Sequence, residues 1–161
     1  MGEKICTNCK INKNFCEFGK HRGNKRDGLQ CWCKSCMNKD DKTRKRTIAG
    51  LISRIYQRQK NSSKTRNHIP PSYSNKELLQ FALNSDVFIS LYDEWVGSEF
   101  DRKMTPSFDR LDDSKGYSFE NFNEWMTFHE NNQKAHADMR SGKLLNSGWF
   151  HGGAKPVSCV D

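Results

Sequence analysis

The sequence predicts an α+β protein, mainly helical, with a small cysteine-rich module at its amino terminus and a strand–turn–strand–helix unit toward its carboxyl end. Three observations carry this expectation. Two cysteine pairs, Cys6-x2-Cys9 and Cys33-x2-Cys36, enclose a 23-residue interval. Apolar residues recur at helical spacing through segments between 48 and 95. Beyond residue 105 the pattern shortens to two apolar extended runs separated by turn formers, followed by a helix-start signal. At 161 residues and 34% hydrophobic content, the chain can hold one modest core plus a small module. No apolar run approaches the length of a membrane span, so no membrane partner is expected.

Residues 1–40 form the first expected domain. A Cys-x2-Cys pair places two thiolates on one tight knuckle, and two such knuckles complete a tetrahedron around Zn2+, with Cys6, Cys9, Cys33 and Cys36 as ligands. Phe15, Phe18 and Leu29 would supply a minimal apolar cap. A unit this small cannot hold itself by burial alone, so a structural metal would provide much of its folding energy. Cys16 and Cys31 complicate the choice, because six cysteines in a short stretch also suit a disulfide framework. That alternative needs an oxidising compartment. Residues 1–11 are polar and charged rather than secretory in character, which favours zinc and a cytoplasmic location. Cys159 has no evident partner.

Residues 41–70 are expected to be a basic linker (39–46) followed by a helix. Ile48, Leu51, Ile52, Ile55 and Tyr56 mark its buried stripe, with Arg54, Arg58 and Lys60 around the rest of it. The polar stretch 61–73, with Pro70-Pro71, predicts a loop. Residues 71–143 form the next expected domain. Ser74-x-x-Glu77 has the form of a capping box and opens a helix through Leu78, Leu79, Phe81, Ala82 and Leu83. A second helical segment puts Phe88, Leu91, Tyr92 and Trp95 on one face, and the pair is expected to serve as a platform for the strand–turn–strand–helix unit.

In Pro106-Ser107-Phe108-Asp109-Arg110-Leu111-Asp112, Phe108 and Leu111 flank Asp109 in a short extended stretch. Residues 112–116 are turn formers, and Phe122, Trp125 and Met126 return as a second strand. Thr127-x-x-Glu130 is a further capping box, which places Asn131 in the first helical turn, and Gly142 suggests the stop. Residues 144–161 are a Gly-rich tail without periodicity.

The motifs Asp109-Arg110-Leu111-Asp112, Gly116-Tyr117-x-x-x-Asn121 and Glu130-Asn131-x-x-Lys134 resemble those of the ββα-metal (HNH, or His-Me finger) nucleases of the phage type, most strongly over 95–142. The amino-terminal pattern Cys6/Cys9, Glu17-Phe18, Asp27-Gly28-Leu29 and Cys33-Lys34-Ser35-Cys36 is similar to the zinc-ribbon-like module of many phage HNH proteins. The resemblance implies an endonuclease hydrolysing DNA phosphodiesters, of a nicking or homing type, with Asp109 and Asn131 binding one Mg2+ or Mn2+ and Asn121 bracing the turn. The interval after Asn121 is one residue longer than the family pattern, so Glu130 or Asn132 are alternatives to Asn131. Arg110 stands where the family has the histidine that deprotonates water. A guanidinium does not act as a base but suits a phosphate grip. The base would then be His129, Tyr92 or Tyr117, with His129 preferred for its titration range.

Charge divides the chain. Residues 1–70 carry 18 Lys and Arg against 5 Asp and Glu, and residues 71–161 carry 9 against 14, within a formal net charge of +8. A basic half joined to an acidic half suits a protein that grips a polyanion with one part and concentrates a cation with the other. Double-stranded DNA is the expected partner, in host cytoplasm for a phage-encoded chain. One such unit cuts one strand, so a double-strand break would need a homodimer or two sequential events. Two other readings stand beside it: an inactive zinc-dependent DNA-binding protein, and an RNA-binding zinc-ribbon protein.

Overall fold

The computed structural model describes residues 2–141; the expected helix stop at Gly142, the Gly-rich tail and Cys159 lie outside the described residues. The architecture is α+β, with five helices and three two-stranded antiparallel sheets among the described residues. None of these helices is long and apolar enough to cross a membrane. The chain divides into two compact units, Met1–Gly50 and Leu51–Asp161.

In the first unit, β1 (Glu3–Ile5) and β2 (Asn12–Asn14) pair around the Cys6–Cys9 turn. The Cys6 amide donates to the Ile11 carbonyl at 3.0 Å and the Lys10 amide to the Cys6 carbonyl at 2.9 Å. Closing that knuckle puts Lys10 in the left-handed region at φ 61°. A 3-10 turn, Phe15–Glu17, leads into β3 (Phe18–Lys20), which pairs with β4 (Leu29–Cys33). The loop between them is tied by Asn24 and Asp27: Asn24 Nδ2 donates to the Leu29 carbonyl (2.8 Å) and the Leu29 amide to Asp27 Oδ1 (3.0 Å). Gly28 takes the positive φ of 67° that closes this loop. The small core holds Cys6, Phe18 and Cys33, with Leu29 and Trp32 against it. Phe15, expected in that cap, is exposed, and Trp32 packs there instead.

The basic stretch expected as a linker is helical. α1 (Lys34–Arg46) contains no breaker, and Asp41 pairs with Arg44 and Lys45 at 2.6 and 2.5 Å, the i,i+3 and i,i+4 spacings that support an exposed helix. Thr47 then turns the chain in extended geometry, and its hydroxyl accepts from the Gly50 amide at 3.1 Å. A Cβ at Gly50 would stand 2.0 Å from the Arg44 carbonyl oxygen, so this turn requires glycine.

α2 (Ile48–Thr65) runs further than expected, through part of the predicted loop. Gln57 bonds Asn61 across one turn at 2.9 Å, and Ser63 is buried, so polar residues extend the helix on a packed face. In the second unit α3 (Asn75–Leu83) carries the expected Ser74–Glu77 capping box, and α4 (Asp86–Gly97) buries Phe88 and Trp95. β5 (Pro106–Arg110) and β6 (Phe122–Thr127) form an antiparallel hairpin, continued at once by α5 (Phe128–Arg140). The helical pair does serve as a platform: Phe88 meets Trp125 at a centroid distance of 4.8 Å, Phe81 meets Phe122 at 5.0 Å, and Phe81 meets Trp125 at 6.3 Å. Aromatic pairs at these separations add directional packing to the burial of apolar area.

The hairpin register contains the detail that positions the site. Phe108 pairs with Trp125 and Arg110 with Phe122, so β6 spends three steps where β5 spends two. The extra residue is a bulge at Asn123–Glu124, opposite Asp109.

Candidate functional site

Two groups of side chains have the chemistry of a site, one in each unit. In the first unit the four sulfurs of Cys6, Cys9, Cys33 and Cys36 lie within 4.8 Å of one another. Tetrahedral zinc at a Zn–S distance of about 2.3 Å sets sulfurs about 3.8 Å apart; Cys6 and Cys36 are separated by 3.9 Å. The second pair sits differently from the expected second knuckle. Cys33 ends β4 at the N-cap position of α1 and Cys36 lies in its first turn, where free amides and the helix dipole favour thiolates.

The thiols of the cluster are shifted in opposite directions. Burial pushes the Cys6 thiol up, but the backbone amides of Cys33, Cys9 and Asn8 outweigh it and hold the group at about 6. The Cys33 amide donates to Cys6 Sγ at 3.2 Å. Cys33 is lowered by the Ser35 hydroxyl, 3.1 Å away, and by the Cys36 amide. Cys36 is pushed up to about 12, first by Cys33 and then by burial. Four sulfurs this close cannot all ionise unless a positive ion sits among them. The donor set therefore fits a metal ion such as zinc. Cys16 and Cys31 are exposed and outside the cluster, and the described cysteines are all free of disulfides.

The second group surrounds Asp109, whose residue is 4% exposed. Its Oδ2 accepts from the Lys134 ammonium and from Asn123 Nδ2 at 2.8 Å. Asn131 Nδ2 donates to Ser107 Oγ at 2.9 Å and to the Phe108 carbonyl at 3.3 Å. Strand alternation explains the grouping: Ser107 and Asp109 take bonds from α5, while Phe108 and Arg110 turn the other way. Asn131 and Lys134 are three apart and share one helix face. Asn123 is aimed at Asp109 by the bulge. In the turn that begins α5, Asn131 rather than Glu130 or Asn132 bonds to β5. Glu130 turns back to the cap instead, its Oε2 accepting from the Thr127 amide at 2.8 Å and hydroxyl at 2.7 Å.

Asn121 holds the turn as expected of a brace. Its Nδ2 donates to the carbonyls of Asp112 and Gly116, both at 2.9 Å, and its Oδ1 accepts from the Asp112 amide at 3.0 Å.

The other expected site residues are not brought to Asp109. Arg110 is 5% exposed and closes the same turn from beneath, with Nη1 on the Lys115 carbonyl (2.8 Å) and Nη2 on Asp113 Oδ1 (2.5 Å), its guanidinium 4.5 Å over the Tyr117 ring. One donor on each Nη is bonded inside the fold and the side chain is buried, so a phosphate grip by this side chain does not follow from the geometry. Tyr117 lies on the same far side, edge-on to Phe108 at 5.9 Å. Tyr92 packs between Phe88 and Trp95 on α4, its hydroxyl pushed up by burial and by Asp93. His129 is exposed, and two residues from Asn131 it projects roughly 200° round the helix.

Lys134 and Asn123 are the residues that sequence reading did not assign to the site. For Lys134 a signal existed, since it shares a helical face with Asn131. The bulge that directs Asn123 left none.

No family model, no curated protein and no solved structure matches this chain.

Proposed function

We propose that the chain is a metal-dependent DNA endonuclease of the HNH kind, in which a zinc-holding module grips duplex DNA and the hairpin–helix unit hydrolyses a phosphodiester. The observation that carries this reading is the convergence of Asp109, Asn123, Asn131 and Lys134 where β5, the β6 bulge and α5 meet. A hard divalent cation needs oxygen ligands, and Mg2+ is commonly held by one or two carboxylates plus substrate phosphate and water. Asp109 Oδ1 and Asn131 Oδ1 accept no hydrogen bond among the described residues, so these two oxygens would hold Mg2+ or Mn2+. The ion would supply Lewis-acid stabilisation of the charge that develops on the phosphate and the leaving 3′ oxygen. Asn123 and Lys134 fix the Asp109 carboxylate, and Asn131 ties the start of α5 to β5, so the two oxygens keep their places without reorganisation.

Charge supports the division of labour. Residues 1–50 carry 13 Lys and Arg against 5 Asp and Glu, while residues 51–161 carry 14 of each, so the first unit bears the chain's whole formal net charge of +8. Association with a polyanion then rests on the first unit and chemistry on the second.

Nicking of supercoiled plasmid by the zinc-loaded chain tests the reading. Wild type should nick only with Mg2+ or Mn2+, and Asp109→Ala should lose this while binding duplex DNA within a few fold. Tight DNA binding with no cleavage in either ion would instead select the second reading, a zinc-dependent DNA-binding protein without activity. The commitment of Arg110 to the turn, at the position where the family carries its base, favours that alternative.

A further inference from the structure

We propose that Lys134 is the residue that contacts the DNA phosphate at this site, its ammonium bridging the Asp109 carboxylate and a phosphate oxygen. The proposal rests on the nuclease reading for its catalytic consequence, but the contact itself can be tested apart from cleavage.

The argument begins with donor counting. A lysine ammonium has three N–H donors. One goes to Asp109 Oδ2 and one toward the Arg110 carbonyl at 3.4 Å, which leaves a third for a group outside the fold. The Lys134 side chain is 37% exposed whereas that of Asp109 is 5% exposed, so a ligand approaching this point from solvent meets the ammonium before the carboxylate. Arg110, the nearest other cation in sequence to Asp109, is buried at 5% exposure, with one bond from Nη1 to Lys115, one from Nη2 to Asp113 and its face on Tyr117.

Electrostatics give the same assignment. A carboxylate alone repels a phosphodiester, and an ammonium on its Oδ2 offsets that repulsion while Oδ1 stays available. Holding the ammonium between two acceptors also removes much of the rotamer freedom that a surface lysine would lose on binding. One turn of α5 places Lys134 beside Asn131 and so beside the oxygens assigned to the cation.

The experiment uses the full zinc-loaded chain and the variants Lys134→Met and Lys134→Arg. Duplex DNA affinity is measured against salt without added divalent cation, and nicking is measured under single turnover with Mg2+. One lost phosphate contact should lower the slope of log K against log salt by about 0.9 in Lys134→Met, and Lys134→Arg should restore it. Nicking by Lys134→Met should fall by about 100-fold, the size seen when one preorganised donor to a reacting group is removed.

A Lys134→Met slope equal to wild type overturns the proposal, even if nicking falls, because the lysine would then only position Asp109. If the slope falls while wild type nicks nothing, the contact stands and the nuclease reading fails. If wild type and Lys134→Met nick alike with equal slopes, the proposal fails and the nuclease reading stands. Lys134→Gln keeps a donor for Asp109 and serves the same measurements should the methionine variant not fold.

Discussion

Asp109 and Arg110 are adjacent in sequence and serve opposite faces of the β5–β6 hairpin. Asp109 is bonded by Lys134 of α5, while Arg110 stacks over Tyr117 and closes the turn through Asp113 and Lys115. The alternation of a strand separates two side chains that a motif reads as one unit. It makes the arginine a structural group and leaves the carboxylate to the helix.

Loss of that arginine should therefore be felt in stability. Arg110→Ala should destabilise the second unit by about 3 kcal/mol, because it leaves the Lys115 carbonyl and Asp113 without their buried partner. Denaturant unfolding measures this. The salt slope of DNA binding should be unchanged, and a slope lowered by about one would instead mark Arg110 as a phosphate contact.

The purified chain should contain one tightly held metal ion per molecule, and Cys36→Ser should lose it. Removing one of four thiolates from a module whose core holds little beyond Cys6, Phe18 and Cys33 should unfold the first unit and leave the aromatic core of the second intact. Elemental analysis together with near-ultraviolet circular dichroism distinguishes this from a cluster that binds no metal.

Acidification should loosen α5. The hydroxyl of Thr127 and then its backbone amide hold the Glu130 carboxyl below its ordinary value of 4.5. A group depressed on folding contributes stability that is fully present above its unfolded value and is lost as pH falls through the lower folded value. Protection of the α5 amides against hydrogen exchange should therefore fall below about pH 4.5 in wild type. It should be flatter with pH in Glu130→Gln. Thr127→Ala should cost about 1 kcal/mol at neutral pH, the typical cost of a lost cap.

The second unit alone, residues 51–161, should bind duplex DNA at least about tenfold more weakly than the full chain, with a flatter dependence on salt, because it carries no formal net charge. An unchanged slope in filter-binding or anisotropy measurements would move the phosphate contacts into the second unit.

What the sequence by itself determined is the part governed by near neighbours. The Ser74–Glu77 and Thr127–Glu130 caps, the stripes of α2 and α4 and the four-cysteine group all stand where spacing puts them, and Asn121 holds the turn that the motif resemblance implied for it. Each depends on partners a few residues apart or, for the cysteines, on two short local pairs brought together. The extent of α1 was legible in principle, since 39–46 lacks any breaker, but its charge read as a linker. Tertiary structure alone decided the rest. Trp32 rather than Phe15 covers the small core, the extra residue of β6 turns Asn123 onto Asp109, and Lys134 arrives there from 25 positions away. A bulge shifts which residues share a face without changing composition or local propensity, so only the paired strands reveal which side chains meet.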